Sequence, residues 1–207
     1  MPPSDLTVLI LAAGSSRRFG EDKRRICLYS SVGLLQGSVQ NYLASGFPVR
    51  LVLSRRREDD DLAALFSEFP LELFRSQHAE RGMGATLADA AGECRKNEAV
   101  AVALGDMPLI EPDTIRALAS RLRPGTIVYP QYLGRRGHPV LFSSRFLPEL
   151  AGLDGDHGAA SVLATHAESC VALPVDDPGI HLDADTPEAL DELRRRYASR
   201  SSSGVSG

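Results

Sequence analysis

Strand-like TVLIL, Thr7 to Leu11, runs directly into LAAGSSRRFGEDK, Leu11 to Lys23, a segment built for phosphate. Gly14 lets backbone N–H groups approach phosphate oxygens, Ser15 adds a hydroxyl, and Arg18 and Lys23 can neutralise a triphosphate. The glycines Gly14 and Gly20 do not fall in GxGxxG, and no Lys-Ser or Lys-Thr follows Gly20. Dinucleotide and Walker A loops are therefore disfavoured. Arginine supplies 21 of the 23 basic side chains, so the lysine at position 23 hints that an ammonium, not a guanidinium, is wanted there.

A second set of residues could hold a divalent cation. LGDMP, Leu104 to Pro108, follows the run AVAVAL and puts Asp106 at a strand end. LDADTPE, Leu182 to Glu188, adds Asp183 and Asp185 after another extended stretch. Mg²⁺ needs only one or two carboxylates, because it keeps waters and takes further oxygens from substrate phosphates. Both segments also have plain readings: Asp-x-Pro is a common turn, and Asp185 or Thr186 with Pro187 and Glu188 makes an ordinary capped helix start. The two roles are compatible if Thr186 caps while Asp183 or Asp185 faces the site. Phosphoryl transfer needs mainly positioning and charge neutralisation, which a basic loop and such carboxylates supply.

Other chemistries find no support in the sequence. The five histidines form no HxxxH pair and there is no GxSxG elbow. The three cysteines, Cys27, Cys94 and Cys170, suit neither a disulfide framework nor a CxxC site, which predicts a reducing compartment. Gly82, Met83 and Gly84 precede a helix pattern and by themselves read as a flexible turn, and a lone histidine beside a proline, as at His138, reads as structural.

With 207 residues, 43% hydrophobic and 24% charged, the chain predicts one globular domain over 1–198 with a small polar tail, 199–207, expected to be disordered. Its longest apolar run, Thr7 to Ala13, is far short of the ~20 residues that span a bilayer, and MPPSDL lacks a basic signal start. The expectation is a cytoplasmic protein with no membrane partner. Residues 1–57 hold nine Lys or Arg against three Asp or Glu, yet the basic clusters Arg17-Arg18, Lys23-Arg24-Arg25 and Arg55-Arg56-Arg57 have little aromatic interleaving. A nucleotide fits that basic end better than a nucleic acid.

The elements that must position these residues alternate between strand and helix. Thr7–Leu11, Val49–Leu53, Leu71–Phe74 and Ala99–Leu104 read as buried strands; Leu34–Ser45, Leu62–Phe69, Thr86–Arg95 and Pro112–Leu122 read as helices. Later come strands at Thr126–Tyr129, Val140–Phe142 and Val171–Pro174, and helices at Arg145–Leu150, Ser161–His166 and from Pro187. The pattern predicts a three-layer α/β/α sandwich with a mostly parallel, mixed sheet.

LAAGSSRRFGEDK closely resembles the LAAGxSxRxGxxK signature of the MobA-like nucleotidyltransferases that activate molybdenum cofactor. GMGATL at Gly82, GDMP at Gly105, GHPVLF at Gly137, GDHGAA at Gly155 and LDADTPEAL at Leu182 follow in family order. The resemblance is closest to the molybdenum cofactor cytidylyltransferases, in which LAAG stands where guanylyl-transferring relatives usually have LAGG. It implies a nucleotidyltransferase variant of the Rossmann fold, a Mg²⁺ cofactor held by Asp106, Asp183 and Asp185, and catalytic roles for Lys23, Arg18 and Asp106. It places Leu11, Ala12, Ala13, Gly14, Ser15, Gly82, Met83, Gly84 and Thr86 around the nucleotide, and Arg136, His138 and Asp156 toward the second substrate. The implied reaction is attack of the terminal phosphate of molybdopterin cofactor on the α-phosphate of CTP, releasing pyrophosphate. The implied partners are CTP, molybdopterin cofactor and an apoenzyme of the xanthine dehydrogenase type. Guanylyl transfer, transfer to a sugar or isoprenoid phosphate, and non-catalytic cofactor delivery are the alternatives.

Overall fold

A computed structural model describes residues 5–14, 22–94 and 99–203. The strands along the chain are β1 (Leu6–Leu11), β2 (Cys27–Tyr29), β3 (Val32–Gly33), β4 (Val49–Ser54), β5 (Glu72–Ser76), β6 (Ala99–Leu104), β7 (Ile127–Tyr132), β8 (Arg135–Arg136), β9 (Val140–Phe142) and β10 (Cys170–Pro174). The helices are α1 (Leu34–Ala44), α2 (Glu58–Ala64), α3 (Met83–Gly92), α4 (Pro112–Arg121), α5 (Leu147–Ala151), α6 (Ala160–Thr165) and α7 (Pro187–Ser203).

The main sheet is ordered β10-β7-β9-β6-β1-β4-β5, with β8 paired to β7. Strand β1 pairs in parallel with both β4 and β6, and β9 is antiparallel to both β6 and β7. The sheet is thus mostly parallel and mixed. From β1 the chain winds outward through β4 to β5, then returns to place β6 on the other side of β1. The order reverses there, so the loops after β1 and β6 diverge and leave a crevice at the carboxyl ends of the strands.

Alternation along β1 builds the layers on both faces. Leu6, Val8 and Ile10 pack with Leu35, Val39 and Tyr42 of α1, Leu62 of α2, and Ile115 and Leu118 of α4. Leu9 and Leu11 point the other way, toward Leu87 of α3, Leu150 of α5 and Leu163 of α6. Helices therefore cover both faces, which gives the three-layer sandwich. A smaller cluster joins Ile26, Leu28 and Leu34 to Leu190 and Leu193, seating α7 beside the first loop.

Several boundaries differ from the sequence reading, and three of the helix ends bear on the site. Helix α2 spans Glu58–Ala64 rather than Leu62–Phe69, because the acidic run Glu58 to Asp61 forms its first turn, where carboxylates meet the positive helix end. Helix α3 starts at Met83 instead of Thr86, since the Gly155 carbonyl accepts from the Gly84 N–H (2.8 Å) and satisfies a group the helix leaves orphaned. Helix α7 continues through Ser203, into the segment expected to be disordered. Arg200 holds it by donating to the Leu109 carbonyl (3.0 Å), and the Ser199 hydroxyl donates back to Arg195 (3.0 Å).

Candidate active site

The site sits at the crevice between β1 and β6. Their register pairs Leu11 with Leu104, so Ala12 and Gly105 leave the sheet side by side, and Gly105 N–H donates to the Leu11 carbonyl (3.2 Å). A side chain at Gly105 would meet Leu35 Cδ1 at 2.8 Å and the Ala12 methyl at 3.1 Å. Only glycine lets the loop after β6 turn this close to β1, and that turn presents Asp106.

Lys23 reaches across the crevice. Its Nζ donates to Asp106 Oδ2 at 2.6 Å and to Asp185 Oδ1 at 2.9 Å, so one ammonium joins the loop after β1, the loop after β6 and the segment ahead of α7. Burial alone would push the ammonium down; the two carboxylates outweigh it and hold it above the ordinary lysine range. Asp183 stands beside this pair. Burial pushes its carboxyl up, with Asp185 and Asp106 adding to the shift and Lys23 opposing it. Thr186 caps α7 by accepting from the Ala189 N–H (3.1 Å), which leaves Asp185 free for Lys23. The capping and charge-bearing roles thus fall on neighbouring residues.

Among the described residues, no three His, Cys, Asp or Glu side chains gather into a set that would hold a metal by themselves. The triple ligation by Asp106, Asp183 and Asp185 expected from the resemblance is therefore not preassembled among the described residues: Lys23 binds two of these carboxylates, and Asp183 stands near them. The donor chemistry still suits Mg²⁺. Two carboxylates converge on a single positive charge, and the remaining oxygens of such an ion come from substrate and water.

The lysine's neighbour has a different task. Arg24 is 9% exposed and donates to the Ala12 carbonyl (2.6 Å), to both Asp22 oxygens (2.7 Å each) and to Asp59 Oδ1 (2.6 Å). Asp59 in turn accepts from the Ser54 N–H (2.8 Å) and hydroxyl (2.7 Å) at the end of β4. Arg25 donates to the Glu58 carbonyl (2.8 Å). Within Lys23-Arg24-Arg25, which the sequence offered as one anion cluster, only Lys23 faces the acids; Arg24 is an internal tie that clamps the first loop to β1, β4 and α2. Its burial was not visible in the sequence, because Asp59 lies far along the chain in an acidic run that reads as a helix start.

Leu11, Ala12 and Ala13 are buried, and the Ala12 carbonyl is taken by Arg24, whereas among the described residues nothing lies within 4 Å of a Cβ position at Gly14. Ala13 is 3% exposed, so its methyl offers a ligand almost no surface. Ser15 and Arg18 lie outside the described residues.

On the far side of the crevice the glycine motifs form a clasp. Gly82 has φ +121°, in the range that favours glycine, and a Cβ there would run into Asp156 Oδ1 and sit 2.6 Å from the Gly155 carbonyl. A Cβ at Gly84 would lie 2.5 Å from the His157 carbonyl and 2.8 Å from those of Asp154 and Gly155. The stretch 82–84 is thus a packed joint with 155–157, not a flexible turn. Arg81 closes it with an ion pair to Asp154. Met83 is 48% exposed at its edge. Thr86, expected to contact the nucleotide, is 4% exposed with its hydroxyl donating to the Gly82 carbonyl (3.0 Å); it shapes the joint and has no free hydroxyl to offer. One turn later, Asp89 accepts from Ser76 Oγ (2.7 Å), from the N–H groups of Gln77 and His78 (2.7 and 2.9 Å), and pairs with His78 Nδ1 (2.8 Å). Sequence reading missed this anchor, since an aspartate mid-helix carries no motif.

The antiparallel strand supplies the third wall. Register pairs Val140 of β9 with Val102 of β6, so the residues just before β9 lie alongside the carboxyl end of β6. His138 is there, with Nδ1 buried and without a partner among the described residues. Burial lowers its pKa, Arg136 acts in the same direction, and Asp106 and a hydrogen bond with the Val102 backbone oppose them. Arg136 is exposed, its guanidinium 5.8 Å from the centre of the Tyr129 ring. Asp177, 2% exposed, accepts from Glu111 and Gly179 N–H groups (2.9 Å each) and so ties the segment leading to Asp183 against the loop that carries Asp106.

Comparisons with known proteins show the family. "Purine catabolism protein PucB" of Bacillus subtilis is 31% identical over 197 residues, covering 90% of this chain and 95% of that protein. The crystal structure of Rv0371c from Mycobacterium tuberculosis superposes with a TM-score of 0.81 at 27% identity, covering 94% of this chain and 100% of the other. The structure of Rv0371c in complex with manganese gives 0.77 at 25% identity, covering 92% and 98%. The family model described as MobA-like NTP transferase domain matches residues 8–171, spanning β1, the loop of Asp106 and the glycine clasp, and the chain belongs to that family of nucleotidyltransferases.

Proposed function

We propose that this nucleotidyltransferase moves CMP from CTP to the terminal phosphate of molybdopterin cofactor and releases pyrophosphate. The observation that carries the reading is the Lys23 ammonium held between Asp106 and Asp185 at the switch point of the sheet. Cationic and carboxylate groups there converge where a triphosphate would lie against the strand ends. Support for cytidylyl over guanylyl transfer comes from LAAG at Leu11–Gly14. The relative named for purine catabolism supports a recipient apoenzyme of the xanthine dehydrogenase type, because such an enzyme oxidises a purine.

Asp106 and Asp185 would hold Mg²⁺, a cofactor supported by the manganese in the Rv0371c complex; when bound, such an ion neutralises phosphate charge and favours departure of pyrophosphate. Lys23 pairs with phosphate oxygens as negative charge shifts to the leaving group. Gly14 leaves room for backbone N–H groups to meet phosphates, and the clasp of Gly82 and Gly84 against Gly155 fixes the wall for the base. His138, whose pKa burial lowers, keeps its Nδ1 buried without a partner among the described residues, and Arg136 adds positive charge on the side expected to take the acceptor phosphate. No protein nucleophile is needed for direct attack of one phosphate on another.

The test is incubation of the purified protein with molybdopterin cofactor, Mg²⁺ and each NTP in turn, reading dinucleotide product and pyrophosphate. Product with CTP above all others is expected. A preference for GTP moves the chain to the guanylyl branch, and tight cofactor binding without pyrophosphate from any NTP makes it a delivery protein.

A further inference from the structure

We infer that Lys23 is a resident counter-cation that keeps divalent metal out of the site until a nucleotide arrives, so that metal and nucleotide bind as one strongly coupled event. The inference rests on the nucleotidyl-transfer reading above and adds a binding rule for the same site. Its basis is geometric. The ammonium nitrogen lies 2.6 Å from Asp106 Oδ2 and 2.9 Å from Asp185 Oδ1, with 18% of the lysine and Asp106 side chains exposed. A Mg²⁺ ion bonds to carboxylate oxygens at about 2.0–2.1 Å, so an ion on the same two oxygens must take the space that the nitrogen fills. Two like charges cannot share it.

The lysine is well held in this position. Its neighbour Arg24 is clamped by Ala12, Asp22 and Asp59, which fixes the backbone beneath Lys23 while its flexible stem stays free to swing. Free metal must therefore displace a cation that both carboxylates already bind. A triphosphate changes that balance. Its oxygens offer the ammonium a destination, and the carboxylates it leaves behind, now facing phosphate, require a new cation. Coupling of this kind is reciprocal: nucleotide must tighten metal by the same factor as metal tightens nucleotide.

Lys23→Met removes the charge and keeps the length of the stem. Titration of the purified protein with Mn²⁺ alone, read by water-proton relaxation, should show Lys23→Met binding at least ten-fold tighter than the parent. The double variant Lys23→Met/Asp106→Asn should lose that gain. Thermal unfolding run alongside checks that each variant is folded, and Lys23→Gln repeats the test should the methionine variant fail to fold. In the parent, CTP without acceptor should tighten Mn²⁺ at least ten-fold, and the enhancement should shrink in Lys23→Met. Equal affinity of parent and variant for Mn²⁺ alone, or no binding by a folded variant, overturns the inference. Failure of the parent to bind CTP with Mg²⁺ present overturns the nucleotidyl-transfer reading instead, because the comparison with metal alone does not involve nucleotide.

Discussion

Two walls of the crevice are built on opposite principles. The acid and lysine centre is held by charge: three side chains from three distant segments meet at 2.6 and 2.9 Å. The glycine clasp is held by exclusion: Gly82 and Gly84 touch Gly155 to His157 so closely that no side chain fits between them. A site of the first kind loses chemistry when altered and keeps its fold, whereas one of the second kind loses its shape first. Phosphate chemistry needs mobile charge on one side and a fixed frame for the base on the other, and the chain divides the two tasks between loops that share no residues.

The largest effect should come from Asp106→Asn, which removes a charge and almost no volume. Turnover should fall on the order of 10³-fold or more, while thermal unfolding stays cooperative and close to that of the parent. A folded variant with normal turnover would show that the charged wall is not the reacting one. Gly84→Ala should do the reverse. A methyl 2.5 Å from the His157 carbonyl must push backbone away, costing about 1–3 kcal/mol in urea unfolding and raising KM for the nucleotide more than it lowers kcat. Unchanged stability would mean that the clasp yields easily and is not a rigid frame.

Lys23→Arg sharpens the contrast within the charged wall. Charge is retained, but a planar guanidinium cannot follow shifting phosphate charge as an ammonium can. CTP affinity should change little, and kcat should fall about 10-fold or more, a step of roughly 1.4 kcal/mol in barrier. Lys23→Ala should lose both. Steady-state kinetics with separately measured CTP binding distinguish the two variants.

Much of the charged wall was legible in the sequence because strand-to-helix alternation sends every loop after a parallel strand to one edge of the sheet. Once TVLIL and AVAVAL read as strands, Lys23 and Asp106 had to lie near each other. Asp185 was legible only in part: the sequence let either Asp185 or Thr186 cap the last helix and either Asp183 or Asp185 face the site, and the bond from Ala189 N–H to Thr186 decides between them. What stayed hidden depends on contacts across long stretches of chain. Arg24 looks like its basic neighbours, yet its partner Asp59 sits 35 residues away. Gly82 reads as a turn until Gly155 is brought against it, and local pattern has no access to that contact. The start of α2 was misread because its acids serve two ends at once, as the first helical turn and as the partner of Arg24.

The division between Asp185 and Thr186 gives a smaller, cleaner test. Thr186→Ala removes the oxygen that accepts from Ala189 N–H and should cost about 1 kcal/mol, with activity little changed. Asp185→Ala should spare that cap and reduce turnover. Unfolding and activity measured on both variants check the separation; a shared loss of stability would put the cap on Asp185 after all.

The smallest expected effect concerns the anchor beneath the clasp, and it appears only in acid. Burial pushes the Asp89 carboxyl up, but hydrogen bonds from His78, Ser76 and Gln77 outweigh it and hold the group at about 2, below its ordinary value of 3.8. A carboxyl lowered by folding stabilises the protein in full above its unfolded-state value and loses that contribution as pH falls through the folded one. The stability difference between the parent and Asp89→Asn should therefore be constant from pH 7 to about pH 5 and narrow between about pH 4 and pH 2. Urea unfolding at stepped pH measures it. A similar series on Lys23→Met should show no such narrowing from this group, because the acid-sensitive anchor belongs to the frame and not to the charged wall. If the difference at Asp89 stays the same down to pH 2, the His78–Asp89 turn does not depend on the ionised carboxylate, and the clasp is held by backbone packing alone.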